Sequence, residues 1–257
     1  MNQVETAVNE AIAILKEATY VVALTGAGIS TPSGIPDFRS PSSGLWEHDD
    51  PMEVANIQTF KRSPERFFDW MRPLLKTMLV AAPNAAHLAL AQLEKSGVLK
   101  AVITQNIDTL HKKAHSETVY EVHGHMREST CLRCYTVYPA EATADALLER
   151  NEIPHCPACG GVLKPNIILF GEMLPVRVMN AAKKAVRQCD VIIAIGSSLA
   201  VAPVGDLPML AKSLGAKFII INLGETYADS MADVVIHADV VDVLPKIAAA
   251  FSQTNDE

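Results

Sequence analysis

No apolar run in this chain approaches the ~18 residues that a membrane span needs, and the N-terminus shows no charged-then-apolar leader. Internal repeats and low-complexity tracts are also missing. So is any excess of basic residues: 22 Lys and Arg stand against 29 Asp and Glu, a net charge of −7. Neither a membrane nor a nucleic acid bound over a broad basic face is therefore expected as a partner. These absences lead to the expectation of a cytoplasmic protein. In that compartment disulfides are the poorer explanation of the five cysteines, which fall as two close pairs and one single. What is present is an ordinary globular composition, 49% apolar and 20% charged, over 257 residues. That length suffices for one large domain, or for one domain with a smaller insert.

The stretch Tyr20–Ser40 opens with Val21, Val22, Ala23 and Leu24, the short apolar run of a buried strand. Gly26, Ala27 and Gly28 follow, and glycines at a strand end let the backbone turn sharply and approach a ligand. A helix starting near Ser30 would offer free N–H groups and a dipole to a phosphate. Written as Gly26-x-Gly28-x-x-Thr31, the pattern is near the dinucleotide fingerprint, with Thr in place of the third small residue; a plain tight turn is the other reading. Pro32, Gly34 and Pro36 forbid a long regular helix and set Asp37, Phe38 and Arg39 on a loop.

Around this stretch the spacing predicts a helix over 3–18 and irregular helical pieces with an aromatic core over 45–82, punctuated by Pro51, Pro64 and Pro73. A helix over 84–95 follows, with Asn84 as a potential N-cap, and then a strand over 98–104. That strand ends in Gln105-Asn106-Ile107-Asp108, either a ligand-binding strand end or a helix cap. A short strand, 119–122, runs into His123-Gly124; such a histidine suits a general base, although lone histidines are more often structural. Strands over 163–172, 191–195, 218–221 and 234–236 alternate with helices over 176–188, 203–214 and 241–251. The expected fold is α/β: a Rossmann-like parallel sheet with helices on both faces, plus a smaller zinc-binding lobe. The strand ends Gly26, Gln105, His123, Gly196 and Asn222 converge only if the strands are parallel in one sheet.

Cys131-x-x-Cys134 and Cys156-x-x-Cys159, 21 residues apart, fit two knuckles gripping one tetrahedral ion. A redox C-x-x-C would explain only one pair. Four thiolates close the coordination shell, so such a metal is structural. Cys189 reads as a core thiol.

Taken together, Gly26-Ala-Gly-Ile-Ser30, Gly34-Ile-Pro-Asp-Phe-Arg39, Thr104-Gln-Asn-Ile-Asp108, His123-Gly124, the cysteine pairs, Phe170-Gly-Glu172, Gly196-Ser-Ser198 and Asn222 resemble the sirtuins, NAD-dependent protein lysine deacylases, nearest in feel to the compact prokaryotic type. The motifs run in family order from about residue 10 to 250. The resemblance implies a protein lysine deacetylase that passes the acetyl group of acetyl-lysine proteins or peptides to the ADP-ribose of NAD. Nicotinamide, deacetylated lysine and O-acetyl-ADP-ribose would be the products. It implies His123 as general base, with Asn106 beside it in the chemistry. Asn106, Ile107 and Asp108 would line the nicotinamide pocket, and Phe38 would shield the reacting ribose. Gly26, Ala27, Thr31, Arg39, Gln105, Gly196, Ser197, Ser198, Asn222, Asp239 and Val240 would hold the rest of NAD. Ile168 to Gly171, Phe170 included, would pair with the substrate peptide by strand addition. Cys131, Cys134, Cys156 and Cys159 would bind one zinc.

The resemblance further divides the chain into an NAD-binding domain (1–44, 83–124 and 166–257) and a small lobe made of the insert 45–82 and the zinc module 125–165. Two departures stand out. His115 follows Ala114 where the family often has Gly. The Tyr-x-x-Arg pair that grips succinyl or malonyl groups is replaced by Trp70-Met71-Arg72, which implies short uncharged acyl groups, acetyl first.

Overall fold

The computed structural model describes residues 3–38, 44–45 and 49–252. Helix α1 (Gln3–Glu17) leads into strand β1 (Val21–Thr25). No regular helix starts near Ser30; two single 3-10 turns, Ala27–Ile29 and Thr31–Ser33, stand there instead, as the prolines and glycine require. Helices α2 (Pro51–Val54), α3 (Ile57–Arg62), α4 (Pro64–Val80) and α5 (Ala85–Lys95) come next. Pro73 lies inside α4 rather than ending it. A proline costs a helix one hydrogen bond, but Phe67, Phe68, Met71, Leu74, Leu75 and Met78 bury one face of α4 and hold it through the break.

Strand β2 (Leu99–Thr104), helix α6 (Leu110–Lys113), strand β3 (Val119–Glu121), strands β4 (Gly124–Cys131) and β5 (Val137–Pro139), helix α7 (Ala140–Leu148) and strand β6 (Leu163–Ile167) follow. The chain ends with α8 (Val176–Gln188), β7 (Val191–Ile195), α9 (Leu207–Ser213), β8 (Lys217–Ile221), β9 (Val234–Ile236) and α10 (Val240–Ala249). No single described helix is long and apolar enough to cross a membrane.

Six strands form one parallel sheet in the order β3-β2-β1-β7-β8-β9. Side chains alternate across it. Val21, Ala23, Ile193, Ile219 and Ile221 pack under α1, α5 and α10, whereas Val22, Leu24, Ile192, Phe218 and Ile220 pack under α8 and α9. The last residues of all six strands stand in register, Thr25 with Thr104 and Ile195, Thr104 with Glu121, Ile195 with Ile221, and Ile221 with Ile236. Whatever follows each strand therefore emerges along one line, beyond the carboxyl edge.

The strand over 163–172 is shorter than expected and does not join that sheet. β6 pairs antiparallel with β4, and β4 with β5, in a separate three-stranded sheet. Around it a second core gathers Phe60, Phe67 and Phe68, edge to face at 5.2–5.5 Å, with Leu147 of α7 and Ile167 of β6. The insert and the cysteine-bearing segment thus share one apolar core.

Candidate active site and metal centre

Two glycine turns meet at the centre of the sheet edge. Gly26 N–H donates to Ile195 O (3.1 Å) and Gly28 N–H to Gly196 O (2.8 Å). Gly196 has φ +55°, and a Cβ there would lie 2.4 Å from Ile29 N; one on Gly26 would lie 2.8 Å from Gly196 O. The glycines let two loops lock backbone to backbone, a use beyond close approach to a ligand. The backbone N–H groups of Ala27, Ser197 and Ser198 meet no acceptor among the described residues and lie at the facing ends of β1 and β7. Such a cluster is a cradle for an anion.

Beyond these turns opens a cavity of about 590 Å³. It brings together Gly26, Ala27, Thr31, Phe38, Gln105, Asn106, Ile107, His123, Ile168, Phe170, Gly171, Gly196, Ser197, Ser198, Asn222, Asp239 and Val240. Asp108 lies instead on a small adjoining recess of about 20 Å³ that shares Ala27, Phe38, Asn106 and Ile107 with the main cavity. Arg39 falls outside the described residues. Among the described lining residues there is no Lys or Arg.

Sequence reasoning missed several lining residues. Leu223, Gly224 and Glu225 extend the turn after β8, and Val201 to Pro203 extend the one after β7; strand-end logic carried two or three residues further would have found them. Ala55 and Leu174 carry no polar signal and were legible only as core, whereas Leu169 falls within the expected 168–171 docking segment and Trp70 and Met71 at the position where the resemblance puts the acyl-gripping pair.

His123 follows β3 and is held by one bond, Nδ1 to Gln105 O at 3.0 Å. A carbonyl only accepts, so Nδ1 carries the proton, and in the neutral ring the lone pair is on Nε2. Burial pushes the His123 pKa below the usual imidazole value, partly offset by the Gln105 bond, so the neutral form prevails at neutral pH. Gly124, φ +78°, then turns the chain so tightly that a Cβ would lie 2.0 Å from Asn166 O.

Asn106 donates through Nδ2 to Gly26 O (3.0 Å) and Ser30 Oγ (3.1 Å). Asp108 accepts from Ser30 Oγ (2.7 Å) and Leu110 N (2.8 Å), while burial raises its pKa. Both expected roles of this segment are therefore present: Asp108 caps the turn into α6, and its neighbours line the cavity. On the far side, Lys164 Nζ binds Glu172 Oε2 (3.0 Å) and Ile167 O (2.6 Å), and Glu172 accepts from Leu169 N (2.8 Å), fixing the backbone of 167–172.

The thiols of Cys131, Cys134, Cys156 and Cys159 lie within 4.8 Å of one another. Cys131 Sγ to Cys159 Sγ is 3.5 Å and Cys134 Sγ to Cys156 Sγ 3.6 Å, too far for disulfides. Zn–S bonds of about 2.3 Å in a tetrahedron put sulfurs about 3.8 Å apart, so the four donors fit one zinc ion. Tyr138 OH reaches Cys156 Sγ at 3.1 Å, a hydrogen bond suited to a thiolate. Cys189 is buried and donates to Val186 O, a core thiol as expected.

The pattern that describes the Sir2 family matches residues 26–203. An NAD-dependent protein deacetylase of Sulfurisphaera tokodaii is 45% identical over 90% of this chain and 91% of its own. An NAD-dependent protein deacylase 2 of Archaeoglobus fulgidus is 44% identical over 98% and 99%. Among solved structures, a Sir2 enzyme superposes with a TM-score of 0.91 at 44% identity, covering 96% of this chain and 98% of that one. A Sir2 complex with a p53 peptide and NAD+ superposes with a TM-score of 0.86 at 41% identity, over 93% and 96%.

Proposed function

This chain belongs to the Sir2 family and is an NAD-dependent protein lysine deacetylase, and from that premise we propose that His123 is its general base and the cavity beyond the sheet edge its active site. Acetyl-lysine proteins or peptides, NAD and one water are the reactants; lysine, nicotinamide and O-acetyl-ADP-ribose are the products. The observation that carries the assignment is the His123–Gln105 bond, which leaves the lone pair on Nε2 of a histidine that lines the cavity.

In this reading the acetyl oxygen attacks the anomeric ribose carbon as nicotinamide departs; His123 takes the proton of a ribose hydroxyl, whose oxygen attacks the imidate carbon so formed, and one water is taken up as the C–N bond breaks and the lysine amine leaves. Attack at a sugar carbon builds positive charge, which placed dipoles in a dry pocket stabilise. Asn106, with both amide hydrogens committed to Gly26 O and Ser30 Oγ, is held rigidly beside that carbon. Ile107 and Asp108 receive the nicotinamide at the adjoining recess, and Phe38 covers the ribose after it leaves. Ala27, Thr31, Ser197 and Ser198 offer backbone and hydroxyl groups to the phosphates, while Gly26 and Gly196, whose N–H groups are bonded to Ile195 O and Ile221 O, leave room for the phosphates to approach the backbone. Gln105, Asn222, Asp239 and Val240 hold the remainder of the dinucleotide, with Arg39 assigned to the same task.

For the peptide, Ile168, Phe170 and Gly171 form the docking edge. The N–H groups of Ile168 and Phe170 already bond His123 O and Ala55 O, so strand addition falls to Gly171 and the Ile168 carbonyl. The wall of Ala55, Trp70, Met71, Ile107 and Leu169 is apolar and favours short uncharged acyl groups, acetyl first. A zinc ion on the four cysteines has a closed thiolate shell and supplies folding energy to the small lobe rather than chemistry.

We assign NAD binding to 1–44, 83–124 and 166–257, with 45–82 and 125–165 as the small lobe; the shared phenylalanine core supports that pairing. Cysteines placed for a metal rather than for disulfides support a reducing cytoplasmic setting, and the net charge of −7 argues against direct nucleic-acid binding. Incubation of NAD with an acetyl-lysine peptide panel tests the function: free nicotinamide and O-acetyl-ADP-ribose are expected. Reduced cofactor without nicotinamide would sink it.

A further inference from the structure

Asn84 stands at the N-terminus of α5, outside the cavity lining, yet its side chain makes four hydrogen bonds in two directions. Oδ1 accepts from Ala86 N (3.0 Å) and His87 N (3.4 Å), which caps the helix. Nδ2 donates to Ile29 O (2.8 Å) and Ser33 Oγ (3.0 Å), both in the loop that follows β1. A cap needs only the oxygen. The amide nitrogen is spent on the loop.

The same helix end reaches the other side of the loop as well. Asn84 N–H donates to His87 Nδ1 (3.4 Å), so the neutral His87 ring carries its proton on Nε2. That ring lies 4.9 Å from the ring of His111, whose Nε2 bonds Thr25 Oγ1 at 3.0 Å. Thr25 immediately precedes Gly26. The first turn of α5 therefore touches the loop before its glycines, through two buried histidines, and after them, through one amide. Within 26–33, the other hydrogen bonds from outside the loop among the described residues come from Ile195 O, Gly196 O, Asn106 and Asp108, and they fall on Gly26, Gly28 and Ser30.

We propose that Asn84 is a positioning residue for NAD: its amide nitrogen fixes the 29–33 segment, and so the Thr31 and Phe38 side of the cavity, to the rigid helix α5. This rests on the reading that the cavity takes NAD. It assigns to Asn84 a role separable from capping, because aspartate and serine cap a helix as well as asparagine but cannot donate two hydrogen bonds to Ile29 O and Ser33 Oγ.

The test compares Asn84→Asp and Asn84→Ser with the wild type in the full chain. Both variants keep a capping oxygen, so melting temperatures within about 3 °C of wild type are expected. The dissociation constant of NAD by calorimetry and its KM should nevertheless rise about tenfold, while the KM of the acetyl-peptide changes less than about twofold. Amide exchange of residues 26–34 in the NAD-free protein should accelerate. If both variants bind NAD like the wild type with unchanged exchange, Asn84 is a helix cap only and the proposal is overturned. A parallel rise of both KM values would overturn it too, since that marks general loosening. Should Asn84→Asp fail to fold, Asn84→Ser decides alone. A wild type that binds no NAD would refute the functional reading instead, and the exchange comparison would still decide the brace.

Discussion

On the sheet side of the cavity the surface is backbone and short polar side chains, set by strand register and by glycines that leave no room for a Cβ; on the small-lobe side it is apolar side chains carried by helices around three phenylalanines. The first wall is continuous with a six-stranded core. The second depends on a three-stranded sheet, of which β4 and β5 are largely exposed or half-buried, and on four thiols gathered at its edge. A dinucleotide keeps its form from reaction to reaction, which suits a wall fixed by backbone. An acyl-lysine arrives on varied proteins, which suits a wall of side chains on a separately built lobe. Damage to one wall should therefore show first in one substrate.

The largest effect expected is from Cys131→Ala, which opens the thiolate shell. Zinc content, measured by atomic absorption, should fall from one per chain to none, at a cost to the small lobe on the order of 10 kcal/mol. Peptide binding should fail before NAD binding; a variant that kept its zinc and melting temperature would refute the four-thiolate site. Next, His123→Ala should reduce deacetylation at least about 10²–10⁴-fold while leaving the NAD dissociation constant and melting temperature near wild type, read by nicotinamide release and calorimetry. Gly196→Ala attacks the fixed wall: its Cβ would lie 2.4 Å from Ile29 N, so a loss of about 1–3 kcal/mol in stability is expected. NAD binding should weaken more than peptide binding, a split that equal weakening would contradict.

Acid should act on the sheet side as well. Burial lowers the pKa of His87 to about 4 and of His111 to about 3, the latter also through His87. Unfolded histidines titrate near 6.5, so this stability is complete above that pH and is lost as pH falls toward the folded values. Denaturant midpoints measured from pH 7 to pH 4.5 should show a loss approaching about 1.4 kcal/mol per pH unit for each ring. The smallest effect concerns His115, exposed and held at φ +66° where the family often has Gly. His115→Gly should raise stability by ~0.5–1 kcal/mol without touching either KM.

Most of the sheet was readable from the chain because its central strands are short apolar runs bounded by turn residues; 191–195, 234–236 and the helix over 176–188 hold the bounds read from sequence. Strand-end reasoning then reached most of the polar wall. β4 was invisible because Gly-His-Met-Arg-Glu-Ser-Thr-Cys has no apolar period: its pairing with β5 and β6 comes from the tertiary context. Residues 203–206, expected to be helical, precede α9 as a turn whose Gly205 N–H bonds Val201 O. Spacing alone showed the apolar wall only as core, since Trp70 and Met71 carry the same signal in either role; the family resemblance is what pointed to them as an acyl-contacting position. Asn84 was legible as a cap, while its second function needed the loop to be seen beside it.

Gly26 and Gly28 close against Gly196, so the anion cradle is made from two parts of the chain that leave the ribosome far apart in time. β1 and its turn are synthesised early, with nothing to lock into until β7 has emerged and entered the sheet between β1 and β8. On the proposed NAD reading, a nascent chain that lacks β7 has only half of the cradle.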